Sequence, residues 1–390
     1  MFHFLIFLPK KLARVTSGGR FIAEIDGLRF LAIFPVLIQH LSERLLAYTP
    51  LSFEGVEENF AAYAASRGFI GVYIFFVISG FVLALPFAAH HLRDAKAVSL
   101  KNYFWRRLTR LEPPYIILMT FFFLVLINMR SDSFQELFPH YLASIFYLHN
   151  IIYESYTPIN PVAWSLEIEI QFYLLAPLLG TLLFRIKHKT GRRVVQVATI
   201  LLILLAQQYF GWYISSMKMT ILGNLHLFLI GFLLADIFLI EWKNGWSKSY
   251  GWDLLTLIML PVPFFFWRHD FLNWMIFPFL LLIVFVGVFK SRYINRFFTN
   301  PWITAIGGMC YTIYLIHLPL AELMFRLTHQ ITLGQAYLPN LLLQMAIFLP
   351  VVFAVSILVF FALEKPCMDK HWPEKLRGNL RKALYRLKTY

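Results

Sequence analysis

The stretch DGLRFLAIFPVLIQH, residues 26–40, contains an arginine and a histidine separated by ten residues that are nearly all apolar. It belongs to a series of continuous apolar runs of about 18 to 22 residues, the length that a helix needs to cross a bilayer. Because the runs are continuous rather than alternating, a membrane β-barrel is excluded and helices must satisfy the backbone within the lipid. The stretch therefore predicts the first of several membrane-spanning helices.

The composition of the whole chain agrees with a membrane protein. Of its 390 residues 59% are hydrophobic and 14% charged, whereas a soluble domain carries about 25% charged residues. We predict an all-α polytopic membrane protein with about ten transmembrane helices. Their approximate limits are 27–46, 69–88, 113–129, 162–184, 194–210, 221–240, 252–267, 272–289, 303–325 and 340–363. The apolar segment 138–153 is short, so we interpret it as re-entrant or interfacial rather than as an eleventh span.

The distribution of basic residues predicts the orientation. The formal net charge of +14 could indicate nucleic-acid binding, but the basic residues lie between the apolar runs. If the N-terminus is cytoplasmic, cytoplasmic segments hold 28 lysines and arginines and outer loops hold six. This asymmetry is typical of the positive-inside bias. We therefore expect both termini in the cytoplasm and no nucleic-acid partner.

The chain divides into three parts by sequence. Residues 1–26 form a cytoplasmic or interfacial segment, in which an apolar run precedes the charges, so no cleavable signal peptide is expected. Residues 27–363 form the transmembrane domain. The basic tail 364–390 is expected on the anionic inner leaflet. Cys310 and Cys367 form no recognisable framework and are interpreted as free thiols.

Arg29 and His40 form the first candidate site. Eleven residues turn a helix by about 1100°, so both side chains lie on one face, about 16 Å apart along the axis. Ionisable residues inside a membrane are costly and usually face a cavity. The alternative is that Arg29 extends to the membrane surface while His40 only bonds to a neighbouring helix.

A second candidate is the arginine cluster in FWRRLTRLEPPY, residues 104–115. Arg107 and Arg110 are three residues apart and lie side by side on a helix, which suits a phosphate ligand. The double proline after them predicts a helix start. The alternative is ordinary positive-inside anchoring.

A third candidate lies in NPVAWSLEIEIQFYLLAP, residues 160–177, where Glu167 and Glu169 interrupt an apolar span. Two residues apart on a helix, they point about 200° away from each other. We expect one to face the cavity and the other a partner helix. A carboxylate beside an imidazole can orient it and raise its basicity. The alternative is an interhelical hydrogen-bonding role for both.

Two further spans contain polar residues of interest. In GMCYTIYLIHLPL, residues 308–320, His317 lies in the middle of a span with Tyr314 one turn before it. It is either a site residue or a packing histidine with its hydrogen bonds satisfied. In GVYIFFVISGF, residues 71–81, Ser79 and Gly80 predict close helix packing. No histidines or cysteines show the spacing of metal ligands.

Taken together, these segments resemble the acyltransferase-3 family of bacterial membrane O-acyltransferases, in its stand-alone transmembrane form. The stretches 26–40 and 71–81 resemble its first-helix and second-helix motifs. RRLTRLEPPY resembles its paired-arginine motif, WSLEIEIQFYLLAP its fourth-span motif and GMCYTIYLIHLP its ninth-helix motif, while EKPCM resembles its terminal Glu-Lys-Pro. Six motifs in family order cover residues 24–368.

The resemblance implies transfer of an acyl group, usually acetyl, from cytoplasmic acyl-CoA to a hydroxyl of a cell-surface or lipid-linked glycan. The enzyme would be an O-acetyltransferase of the bacterial inner membrane, in contact with membrane lipids and without a permanently bound cofactor. It implies catalytic His40 and Glu169, and donor-binding Arg29, Arg107 and Arg110. Acceptor or channel residues would be Trp164, Tyr173, Tyr314 and His317.

Other functions compete with this interpretation. A transporter or flippase would also place charged residues on one internal face, and inverted repeats would favour it, but none is evident. A structural scaffold would tolerate replacement of the polar residues. Within the enzyme class, the acceptor could instead be a small hydrophobic molecule or a lipid.

Overall fold

The computed structural model describes residues 8–14, 21–51, 53, 55–129, 133–242, 245, 247–268, 270–369 and 371–378. The described chain consists of helices and their connections. The main helices are α1 (Ala23–Tyr48), α2 (Ile70–Arg93), α3 (Leu100–Met129), α4 (Phe134–Ile145), α5 (Trp164–Phe184), α6 (Lys189–Phe210), α7 (Ile221–Glu241), α8 (Tyr250–Met259), α9 (Phe271–Lys290), α10 (Pro301–Gly308), α11 (Cys310–Thr328) and α12 (Tyr337–Val359). Short helices are Phe60–Ser66, His149–Tyr153, Val262–Phe266, Tyr293–Phe298 and Lys365–Cys367.

The expectation of a multi-pass helical membrane protein is confirmed. Within the described residues, eight helices are long and apolar enough to cross a membrane. A ninth span forms if α10 and α11, which are bent by 68° to each other, are taken as one. The segment predicted at 252–267 forms two short helices, Tyr250–Met259 and Val262–Phe266. Even taken together as Tyr250–Phe266 they are shorter than the helices long enough to cross a membrane. Ten spans and two cytoplasmic termini stay predictions.

Helices α2 and α7 form the centre of the bundle. In their apolar windows 67% and 72% of the residues are buried, against 22% to 44% in the other six spans. The two helices approach closely at glycines: a β-carbon on Gly80 would overlap the Phe228 backbone, and one on Gly231 would overlap the backbone of Phe81. Close backbone contact is how apolar helices gain packing energy in lipid, so the close packing predicted at Gly80 is confirmed.

The prediction that the double proline begins a helix is wrong. Helix α3 starts at Leu100 and continues through Pro113 and Pro114 to Met129. Proline lacks an N–H, so Pro113 leaves the carbonyl of Thr109 without its usual helical donor. The indole nitrogen of Trp372 donates to that carbonyl at 2.8 Å. A side chain from the C-terminal segment thus replaces the missing bond and lets the helix continue.

The same substitution of a side chain for a missing backbone donor occurs at two other prolines. Pro177 of α5 frees the carbonyl of Tyr173, which accepts from the Tyr103 hydroxyl at 3.1 Å. Pro319 of α11 frees the carbonyl of Leu315, which accepts from Asn160 Nδ2 at 2.9 Å. Each proline therefore provides a point of attachment for another part of the chain.

The segment predicted to be re-entrant or interfacial contains two short helices. Helix α4 has 12 residues and His149–Tyr153 has five. Twelve residues extend about 18 Å, well below the roughly 30 Å of a bilayer core. The segment is therefore too short for an eleventh span.

The described segments nearest the two termini, 8–14 and 365–378, pack at one end of the bundle. Leu12 is 1% exposed, and the carbonyl of Lys11 accepts a hydrogen bond from the Lys365 ammonium group. Trp372 reaches α3, as described above. Residues 1–7 and 379–390, and with them part of the predicted interfacial segment and basic tail, lie outside the described residues. Because Arg14, Arg29 and Arg110 lie here, we call this end of the bundle the arginine end.

Candidate active site

His40 and His317 bring α1 and α11 together. Their ring centroids are 5.2 Å apart with the planes at 38°. His40 Nδ1 lies 2.8 Å from Glu43 Oε2. A carboxylate accepts, so the proton of the neutral ring lies on Nδ1 and the lone pair on Nε2. The arrangement leaves Nε2 of His40 able to take up a proton or attack an electrophile.

His317 presents a second ring nitrogen of the same kind. Its Nδ1 lies 2.8 Å from the carbonyl oxygen of Tyr314, which only accepts, so the proton of the neutral ring lies on Nδ1. His317 is fully buried, and its Nε2 has no hydrogen-bond partner in the described part of the chain. A buried acceptor without a donor is costly, which makes this atom a candidate contact for a substrate hydroxyl. A histidine that served only for packing would have both ring nitrogens hydrogen-bonded, whereas among the described residues His317 has a partner only at Nδ1.

One face of α5 carries further polar side chains, which begin next to Tyr314. Ser165, Glu169 and Tyr173 are spaced four apart and so lie on the same side of the helix. Ser165 Oγ is 2.7 Å from the hydroxyl of Tyr314. Glu169 accepts hydrogen bonds from Tyr173 at 2.7 Å and from Ser79. From Ser165 to Tyr173 the path follows α5 for about 12 Å.

Arg107 extends this path toward the arginine end. Its guanidinium carbon lies 3.6 Å from the ring centroid of Tyr103 and 5.3 Å from that of Tyr173. Its Nη1 donates to the Tyr103 carbonyl at 2.9 Å, and its charge interacts with Glu169. We call the connected set the polar file; its members are His40, His317, Tyr314, Ser165, Glu169, Tyr173 and Arg107.

The two glutamates face opposite ways, as their spacing predicts. While Glu169 lies in the polar file, the fully buried Glu167 accepts a hydrogen bond at 2.8 Å from the backbone nitrogen of Asn150. The side-chain amide nitrogen of Asn150, Nδ2, donates to the carbonyls of Trp164 and Met219, at 2.8 and 3.0 Å. Glu167 therefore holds the short helix His149–Tyr153 against α5.

The sequence suggested that a carboxylate such as Glu169 orients an imidazole, but among the described residues Glu169 bonds to Ser79 and Tyr173 and to no histidine. Among the described residues, the carboxylate hydrogen-bonded to His40 is Glu43, three residues further along the same helix. The spacing of His40 and Glu43 was a signal that could have been used, since residues three apart are neighbours on a helix. Glu169 instead connects α5 to α2 through Ser79.

Arg29 lies within a cluster of charges at the arginine end. Its side chain is 11% exposed and forms an ion pair with Asp26, so it does not extend to the surface. Arg14 Nη1 lies 3.9 Å from the same carboxylate. The charge of Arg110 interacts with those of Arg14 and Glu364. Sequence reasoning overlooked Arg14, Asp26 and Glu364 as members of this cluster.

Glu364 belongs to an irregular turn at the end of α12. Residues Phe360–Glu364 form a turn of π-helix, a feature frequent at functional sites. The Glu364 carboxylate accepts from the Thr312 hydroxyl at 2.6 Å and from its backbone nitrogen at 3.2 Å. The bend between α10 and α11 lies just before Thr312, so Glu364 fixes the first turn of α11.

The arginine pair predicted on α3 divides between two surroundings. Arg107 and Arg110 interact electrostatically, but Arg107 lies against the tyrosines of the polar file and Arg110 against the charges of the arginine end.

Trp164 packs edge-on against Phe76 and Tyr156, with centroids 6.4 and 6.1 Å away. The two cysteines are both buried and unpaired, as expected.

Comparisons with known proteins identify the family. The model of an acyltransferase domain, that of the acyltransferase-3 family, matches residues 22–363. The chain belongs to this family. The resemblance noted in the sequence is thereby confirmed.

Two relatives come from Staphylococcus aureus. "Putative O-acetyltransferase SACOL0978" of strain COL is 29% identical over 324 residues, covering 76% of this chain and 50% of the relative. The O-acetyltransferase OatA of strain NCTC 8325 is 28% identical over 340 residues, covering 80% of this chain and 52% of OatA. The chain thus spans about half the length of these relatives. No solved structure matches it.

Proposed function

We propose that this chain is a membrane O-acyltransferase that transfers an acyl group, in the first instance acetyl, from acyl-CoA to a hydroxyl of a cell-surface or lipid-linked glycan. The observation that carries the proposal is the polar file, which connects a cluster of arginines to two imidazoles with free ring nitrogens. Membership of the acyltransferase family and the names of the Staphylococcus aureus relatives support acyl transfer.

In this proposal the donor binds at the arginine end. Guanidinium groups form paired hydrogen bonds with phosphates, which suits Arg29, Arg107 and Arg110 to the phosphates of acyl-CoA. The spacing of about 16 Å between Arg29 and His40 along α1 corresponds to part of an extended CoA arm. The thioester would then lie near His40 while the phosphates remain at the arginines.

The chemistry is assigned to Nε2 of His40. Acting as a general base, it takes the proton of the acceptor hydroxyl while the hydroxyl oxygen attacks the thioester carbonyl carbon. The carbon–sulfur bond then breaks, and the proton passes to the departing CoA thiolate. In a second sequence of steps, Nε2 first accepts the acyl group and then passes it to the hydroxyl. In both sequences Glu43 orients the ring and stabilises its positive charge.

The acceptor is assigned to the other side of the imidazoles. The Nε2 atom of His317 can accept a hydrogen bond from the acceptor hydroxyl, and Tyr314 lies next to it. Glu169 and Tyr173, which lie between the imidazoles and Arg107, would line the channel from the arginine end. Trp164 and the half-exposed Tyr156 offer aromatic faces on which a sugar ring can pack.

The arginine end would face the cytoplasm of a bacterium, where acyl-CoA is made. The support is the excess of basic residues, 28 to six, in the segments on that side. The protein would then reside in the inner membrane.

Acyl transfer can be measured in the purified protein. In lipid nanodiscs supplied with labelled acetyl-CoA and a glycan acceptor, we expect release of CoA and labelling of the acceptor. Mass spectrometry of surface glycans from cells with wild-type or His40→Ala protein identifies the natural acceptor. Absence of both CoA release and a glycan difference would contradict the proposal.

A further inference from the structure

Arg14 is an unexpected member of the arginine end, because it lies outside the membrane-spanning helices. It follows the short helix at residues 8–12 and packs against the end of α10. A methyl group added to Gly308 would lie 3.8 Å from the Leu12 carbonyl oxygen and 3.9 Å from the Arg14 nitrogen. The Lys365–Lys11 hydrogen bond holds the same segment from the other side. Contacts with α10 and with Lys365 therefore fix the position of Arg14.

The surroundings of Arg14 contain more positive than negative charge. Three guanidinium groups, those of Arg14, Arg29 and Arg110, act on one another or on the same neighbours. Two carboxylates act on Arg14: Asp26, shared with Arg29, and Glu364, already bound by Thr312. Arg29 also interacts with Glu169 of the polar file. Burial, together with Arg29 and Arg110, lowers the pKa of Arg14 to about 9. An added anion would relieve this repulsion.

The cluster also has hydrogen-bond donors to spare. The Nε atoms of Arg14 and Arg110 are buried and lack a partner in the part of the chain that the structure describes. A buried donor without an acceptor costs about 1 to 3 kcal/mol, and more when it is charged. A phosphate supplies both the missing negative charge and several acceptor oxygens.

We propose that Arg14 is a donor-binding residue, which together with Arg29 and Arg110 binds a phosphate group of acyl-CoA. The inference rests on the proposed function, since it takes acyl-CoA as the donor. It makes residues 8–14 part of the binding site, held there by the hydrogen bond from Lys365 to the Lys11 carbonyl. An anionic lipid headgroup has the same phosphate chemistry, so the test must separate the two sources.

The test compares Arg14→Ala and Arg14→Lys with wild type in nanodiscs of neutral phosphatidylcholine. We expect Arg14→Ala to raise the Kd of acetyl-CoA about tenfold, the loss of one charge-assisted contact, with partial recovery in Arg14→Lys. The KM for S-acetylpantetheine, a thioester without phosphates, should not change. Lys11→Ala is the matched control, because it removes an exposed positive charge from the same segment.

The outcomes separate the two proposals. If wild type binds acetyl-CoA and both Arg14 variants bind it equally well, the assignment of Arg14 is overturned while the proposed function stands. Equal binding in neutral lipid combined with a stability loss confined to phosphatidylglycerol nanodiscs would assign Arg14 to a lipid instead. If the wild-type protein itself binds no acetyl-CoA, the assignment of acyl-CoA as the donor in the proposed function is wrong. A KM for S-acetylpantetheine that rises in parallel would point to misfolding and overturn the contact.

Discussion

Two pairs of histidines that meet inside the described bundle, His140 with His149 and His40 with His317, differ in what their ring nitrogens do. His140 Nδ1 lies 2.8 Å from His149 Nε2, and both rings pack against Tyr153 with centroids 4.2 and 4.7 Å away. His149 Nδ1 is 3.1 Å from the Ser155 carbonyl. This pair bonds internally, and both nitrogens of His149 are occupied by the fold.

Within the described part of the chain, the pair in the polar file leaves one ring nitrogen of each histidine without a hydrogen-bond partner. The rings of His40 and His317 lie near each other, but each Nδ1 is bonded to an oxygen of its own helix. The two Nε2 atoms are left as acceptors. Ring proximity alone therefore does not mark a reactive histidine; the partner of each nitrogen does.

The largest expected effect comes from removing His40, the proposed base. His40→Ala should lower kcat by about 10² to 10⁴, the range for loss of a general base, with correct membrane insertion. The control is His149→Gln, which should retain acyl transfer. Wild-type turnover in His40→Ala would remove the distinction between the two pairs.

Next in size is the loss of the α3 arginine pair, Arg107 of the polar file and Arg110 of the arginine end. The double variant Arg107→Ala and Arg110→Ala should raise the KM for acetyl-CoA by roughly a hundredfold, because two charge-assisted hydrogen bonds are lost. Arg106→Ala serves as control, since Arg106 is exposed on the same helix. Unchanged donor affinity in the double variant would contradict the role given to the pair.

A smaller effect is expected from the carboxylate beside the base. Glu43→Gln should lower kcat by about tenfold, the lower end of the range for carboxylates that orient metal-bound histidines, while the KM for the donor stays constant. Glu43→Asp should recover part of the loss. The measurement is steady-state kinetics of CoA release, and equal kcat values would show that His40 needs no carboxylate.

The smallest effect concerns His140 and His149, and it appears as a pH dependence of the protein's stability. Burial, and then the neighbouring His140, lowers the pKa of His149 from 6.5 to about 4. The unfolded chain therefore takes up a proton near pH 6.5 that the folded protein does not accept until about pH 4. The contribution of His149 to the free energy of unfolding is therefore fully present above pH 6.5, and it is lost as the pH falls toward 4.

The Tm of the wild type should thus decline across this interval, and that of His149→Gln should decline less. Thermal unfolding in nanodiscs at pH 7, 6, 5 and 4 measures both. Parallel curves for the two proteins would mean that His149 does not contribute to the pH dependence.

Part of the site could be predicted because helical geometry is local. The spacing of Glu167 and Glu169 predicted opposite directions, and hydrogen bonds to Asn150 and Tyr173 confirm it. The proximity of His40 to His317 could not be predicted, since 277 residues separate them and no local rule relates α1 to α11. Arg14 was overlooked for the same reason: its neighbours come from α1, α3 and α10.

The prolines show where local rules fail. Pro113 by itself predicts a helix boundary, because it cannot donate to Thr109. The boundary disappears only when Trp372, far along the chain, supplies the donor. Helix continuity at α3 was therefore decided by a contact that no segment of sequence contains.

The sequence by itself determined the membrane-spanning helical class, the face of each helix on which polar residues lie, and the family. These follow from hydrophobicity and the 3.6-residue period, which act within one helix. Only the tertiary structure decided which polar faces meet, and so which histidine nitrogens remain free. In a bundle, the hydrogen bonds left open by one helix are completed or left open by another.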